Sequence, residues 1–183
     1  MQITYVVHVE DKPGVLNRVS SLVRRRGYNI ESLTVGHTDT AGVSRITIVV
    51  EAEPSAAARI EANIYKLVHV IRVENVTALP TVYRNLALIK VTASVETRTQ
   101  VMQIVDVFRA RVVDVATDSL MVEVTGTDEK IDGLLEILRP FGLMEVARTG
   151  QLAMTRGNSA RYGASKAAAS DEPVDSAVVS FSV

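Results

Sequence analysis

The chain has 183 residues, 47% hydrophobic and 22% charged, with a formal net charge of −1 and no cysteine. That balance excludes a disordered chain, and charges of both signs interleaved along the sequence leave no basic stripe for nucleic acid. Without cysteine there are no disulfides, thiolate metal sites or cysteine nucleophiles.

The length admits one medium domain or two small ones, each with a modest core. The first residues, "MQITYVVHVE", read as a strand and not a signal peptide, and no apolar run approaches the ~20 residues of a membrane span. No membrane partner is expected, and the expected location is cytoplasmic.

In chain order, Ile3, Tyr5, Val7 and Val9 alternate with Thr4, Val6, His8 and Glu10, a strand with one apolar and one mixed face. After the Pro13–Gly14 pair, Val15, Leu16, Val19, Leu22 and Val23 fall on one helical face, and Gly27 supplies a stop. "NIESLTVGHT" and "VSRITIVVE" predict two strands joined by the polar loop at Asp39 to Gly42. Beyond Pro54, Ala57, Ile60, Ile64, Leu67 and Val68 have helical spacing, and "VIRVENV" closes the unit as a fourth strand. The order is βαββαβ.

From Tyr83 the same order returns. "LALIKVTAS" predicts a strand, and Val101, Ile104, Val105 and Phe108 a helix face. "RVVDVAT" and "LMVEVTG" follow as strands, then Ile131, Leu134, Leu135 and Leu138 on a helix ended by Pro140 and Gly142. "LMEVARTGQLAMT" is the last strand. The fold class is therefore α+β: two tandem ferredoxin-like βαββαβ sandwiches, each with two helices on one face of a four-stranded antiparallel sheet. The expected units are residues 1–79 and 82–157, parted where Pro80 interrupts. Residues 158–183, small and polar without periodicity, are expected to form a disordered tail.

Catalytic signatures are missing. No serine has a G-x-S-x-G setting, and His8, His37 and His69 have no partner at metal-ligand spacing, so they read as structural or surface residues. Arg24 to Arg26 suit a helix C-terminus. Aromatic residues are only 4% of the chain and form no base-stacking platform. No catalytic residue and no metal ligand is assigned.

The loop from Asp11 to Leu16 is the most informative feature. Exposed N–H groups at Gly14, Val15 and Leu16, at the positive end of a helix, suit a carboxylate. Asp11 suits an ammonium, and the Asn29 amide offers both donors and an acceptor. Together they match a free α-amino acid; a plain strand-to-helix turn with a solvated Asp11 accounts for the same spacing.

The segments "DKPGVLNRV", "RRGYNIESLTVG", "SRITIVV", "KLVHVIRV", "ALIKV", "FRARVVDV" and "TRGN" closely resemble the small regulatory subunit of acetohydroxyacid synthase, also called acetolactate synthase. The resemblance covers Met1 to Asn158. It implies an N-terminal ACT domain, a second ferredoxin-like domain, and a homodimer whose paired ACT domains bind valine, leucine or isoleucine between subunits. The implied effector site comprises Asp11, Lys12, Gly14, Val15 and Leu16 from one subunit and Asn29 and Ile30 from the other. It implies no cofactor on this chain, with thiamine diphosphate, Mg2+ and FAD on a separate catalytic large subunit. The expected function is activation of that subunit and feedback inhibition, by valine first, in branched-chain amino acid biosynthesis. The alternative is a stand-alone ACT-domain amino-acid sensor acting on another protein.

Overall fold

A computed structural model describes residues 1–157; the tail expected at 158–183 lies outside the described residues. The first half contains β1 (Gln2–Glu10), α1 (Val15–Arg25), β2 (Asn29–His37), β3 (Val43–Glu51), α2 (Ala57–Tyr65) and β4 (Val70–Asn75). The second contains β5 (Thr81–Thr92), α3 (Arg98–Val107), β6 (Arg111–Val115), β7 (Ser119–Gly126), α4 (Asp128–Gly142), β8 (Leu143–Arg148) and β9 (Leu152–Thr155). The sheets are antiparallel, ordered β2-β3-β1-β4 and β6-β7-β5-β8, with β9 also on β5. The two βαββαβ units expected from periodicity are both present.

In the first unit the alternating residues Ile3, Tyr5, Val7 and Val9 meet Val15, Val19 and Val23 of α1 and Ile60 and Ile64 of α2 in one core. Each such side chain contributes roughly 1.5–3 kcal/mol by leaving water. Tyr5 is fully buried because its hydroxyl donates to the Ala57 carbonyl at 2.9 Å. Leu16, expected on this core face, is instead 40% exposed. The buried stripe on α1 is Val15, Val19 and Val23; Leu16 lies at the margin of that stripe, about 20° around the helix from Val23, and in the first turn beside the loop.

The mixed face of β1 is covered as well. Thr4 and Val6 are buried, and Val6 packs with Val76 and with Ala153 of β9, flanked by Leu79 and Tyr83. Arg45 of β3 donates to the Ala153 carbonyl, holding β9 against the sheet.

Three expectations change in the second unit. The last strand is two: β8 pairs with Ala87–Val91 of β5, β9 with Thr81–Arg84, and the register shifts by one residue near Gly150. Strand β5 accordingly begins at Thr81, ahead of Leu86, to provide the edge that β9 needs. Pro140 does not end α4, which continues to Gly142. A proline so near the end breaks little of the ladder, Phe141 still packs against the core, and Gly142 at φ 97° makes the exit.

His8 lies directly opposite Arg45 on one neighbouring strand and Arg72 on the other. Burial first, then the two guanidinium groups, push its imidazole below the ordinary value of 6.5. The unfolded chain therefore takes the proton first as pH falls, so this contribution to stability is complete above pH 6.5 and is lost below it. Thermal unfolding between about pH 7 and 5 should show a steeper fall in Tm for the wild type than for His8→Gln. Parallel slopes would show that His8 is not held neutral.

Candidate functional site

Between β1 and α1 the chain turns at Asp11 to Gly14. The Asp11 N–H donates to the Gly42 carbonyl at 2.8 Å, pinning the loop to the β2–β3 turn. Gly14 occupies the N-cap position in the left-handed region, φ 82°, so it has a conformational role. No side chain caps α1, and its first turn holds no acidic residue, so its positive end is not neutralised from its own sequence.

Of the two nearby carboxylates, only that of Glu10 is engaged elsewhere. Glu10 meets Lys12 Nζ at 2.6 Å and His69 Nδ1 at 3.0 Å, and these hydrogen bonds, Lys12 first, hold its carboxyl below the usual range. Asp11 lies 3.6 Å from His37 Nδ1, with both side chains largely in solvent. Lys12 is thus a tether for Glu10 in this structure.

The side chains of Val15 and Ile30 pack into or against the core. The Val15 N–H donates to the Lys12 carbonyl at 3.3 Å. The loop therefore presents the Gly14 backbone, the Leu16 N–H and apolar side chain, and the Asp11 carboxylate.

Asn29 and Ile30 are not beside it. Strand β2 begins with Asn29 opposite Glu51 and ends with His37 opposite Ser44, whereas the loop follows Glu10, which faces Val43. Helix α1 lies between the two groups, and its 11 residues span about 16 Å. Within one chain the expected site residues stand at opposite ends of the first unit. Asn29 there donates to the Glu31 carboxylate.

The sequence reading missed His37 and Gly42, which meet Asp11 only because β1 and β3 run antiparallel with Glu10 opposite Val43. A hairpin signal locates the β2–β3 turn but does not say which strand lies beside it. Among the described residues, no group of three or more His, Asp or Glu side chains is placed to hold a metal ion, and no helix is long and apolar enough to cross a membrane.

A βαββαβ sandwich with a glycine-turned loop at an open helix start has the features of the ACT class. Residues 6–72 match the family profile described as the AHAS small subunit-like ACT domain, and residues 84–157 that of the small subunit of acetolactate synthase. The acetolactate synthase small subunit of Mycolicibacterium smegmatis is 50% identical over 154 residues, covering 84% of this chain and 91% of that protein. The Bacillus subtilis acetolactate synthase small subunit is 46% identical over 159 residues, 86% of this chain and 92% of its own length. The crystal structure of the Thermotoga maritima acetolactate synthase small subunit superposes with a TM-score of 0.81 at 38% identity, covering 86% of this chain and 99% of that one. The chain belongs to the acetolactate synthase small-subunit family.

A Cβ at Gly14 would meet no atom within 4 Å, so substitution tests its backbone conformation alone. Gly14→Ala should cost about 1–2 kcal/mol in denaturant unfolding, whereas Gly36→Ala, which also has open space but no positive φ, should be near neutral. Equal effects would remove the argument for a conformational role at Gly14.

Proposed function

We propose that this chain is the non-catalytic regulatory subunit of acetolactate synthase, binding and activating a catalytic large subunit and conferring feedback inhibition by a branched-chain amino acid, valine foremost. Thiamine diphosphate, Mg2+ and FAD belong in this reading to the large subunit, and the complex to the cytoplasm. Family membership supports the pairing of small and large subunits.

The observation that carries the effector half is the separation of the two half-sites. Strand β2 is the edge of its sheet, paired with β3 on one side only among the described residues. A second copy adding its own β2 antiparallel to this edge, centred near Leu33, would set the partner subunit's Asn29 beside His37, and so beside the Asp11–Leu16 loop. The dimer then completes two equivalent sites. In each, the uncapped start of α1 receives the amino acid's carboxylate, Asp11 its ammonium and the exposed Leu16 its aliphatic side chain, while the partner subunit's Asn29 closes the far side.

Such a ligand touches both subunits, so it binds one arrangement of the pair better than another, which regulation requires. The test is acetolactate formation by purified large subunit, with and without this chain, across a valine titration. Stimulation that valine reverses is expected. Gly14→Asp, which places a carboxylate against that of the ligand, should keep stimulation and lose inhibition. A fully valine-sensitive Gly14→Asp would move the site elsewhere, and no stimulation in a folded, same-organism pair would favour the stand-alone sensor.

A further inference from the structure

The turn between β8 and β9 reaches back to strand β2 of the first unit. The Gln151 N–H donates to Ser32 Oγ at 2.6 Å. Gly150 lies so close to β2 that an added Cβ would sit 2.9 Å from the Leu33 carbonyl oxygen and from Ser32 Oγ, and would overlap Thr34 Oγ1. The hydroxyls can rotate away, but a backbone carbonyl in a sheet cannot. Gly150 is therefore required by close approach, since its φ lies outside the left-handed region.

The two ends of this β8–β9 segment rest on different strands of the first sheet. Strand β9 is fixed over the central strands: Ala153 is buried with Val6 of β1, and its carbonyl accepts from Arg45 of β3. The Gly150–Gln151 turn instead touches the edge strand. On β2 the pairing with β3 slips between Ile30 and Ser32, leaving Glu31 as a bulge. That bulge separates Asn29 and Ile30 from Ser32. Beside it opens a cleft of about 510 Å³ between the units, walled by Glu31, Ser32, Asn85, Asp128, Arg148 and Gln151. A shift of β2 at the bulge has this space beside it.

We propose that Ser32, Gly150 and Gln151 form the positioning contact through which occupation of the effector site at Asn29 reaches the second unit. The inference rests on the effector site proposed above and names its outlet. When Asn29 is drawn onto a ligand, β2 shifts at Glu31, and the Gln151–Ser32 hydrogen bond with the close Gly150 packing converts that shift into a displacement of β8 on β5. The second unit registers the edge of the first sheet against its centre.

The test uses the full chain and the reconstituted complex with Ser32→Ala, which removes only the acceptor, and Gly150→Ala, which forces the turn off β2. Valine affinity of the full chain, stimulation without valine, and the valine concentration for half-inhibition are measured for each. The contact predicts near wild-type affinity and stimulation, with the half-inhibitory concentration raised about fivefold or more, the lower end of ordinary allosteric coupling. A merely structural role would lower stimulation and binding together. Wild-type inhibition in Ser32→Ala overturns the contact whether or not Gly150→Ala folds. A wild-type chain that binds no valine overturns the effector site and this outlet with it.

Discussion

Strand β1 has no solvent face over most of its length, and the placement of the surrounding parts follows from that burial. Ile3, Tyr5, Val7 and Val9 are sealed by the two helices, while Thr4 and Val6 are sealed by the turn after β4 and by β9. A strand buried on both faces and paired on both edges cannot slip in register, because a one-residue slip would exchange its apolar and mixed sets. The loop that leaves it at Glu10 is thereby set at a fixed height beside the β2–β3 turn, and the second unit is anchored through β9 to the best-buried strands of the first. Candidate ligand loop and inter-unit anchor are two ends of one constraint.

The loop's electrostatics follow from what its residues already do. Glu10 is held by Lys12 and His69, Asp11 faces His37, and α1 starts with no side-chain cap and no acid in its first turn. A missing cap ordinarily costs about 0.5–2 kcal/mol. Here that deficit leaves N–H groups available to an external carboxylate, with the positive end of the helix behind them. A Ser or Asp at position 14 would have capped the helix and filled the place a ligand's carboxylate takes in the proposed site. Gly14 leaves it open while providing the left-handed turn.

The fold was legible because alternation in β1 and four-residue recurrence in α1 are strong local signals, and both are repeated in the second unit. Local signals failed where tertiary packing decided the outcome. Leu16 has the hydrophobicity of a core residue and lies only about 20° around the helix from Val23, but it stands in the first turn of α1, next to the loop, where it is left exposed. The division of the last strand depends on an approach of Gly150 to β2, a contact between segments whose hydrogen bond joins residues 119 apart in sequence. A glycine inside a strand-like run was its only trace. The identities of the candidate loop residues were readable, yet their distance from Asn29 depends on topology. A helix starting at the loop and ending just before Asn29 must carry the chain to the other end of the sheet.

The two halves of the proposed site rest on different supports. The loop joins β1 and α1, whose apolar faces form the first core, whereas Asn29 starts β2 with a bulge two residues on and a cleft beside it. A ligand held between two rigid surfaces would bind and change little, and one held between two soft surfaces would lose affinity to ordering both. In the proposed dimer each ligand spans the loop of one subunit and the bulged start of β2 in the other. In the proposed coupling the bulged strand is the part that moves, and the position of β2 distinguishes the occupied pair from the empty one. Because the β8–β9 turn rests on that strand while β9 is fixed to the sheet's centre, the same variable strains the second unit against the first.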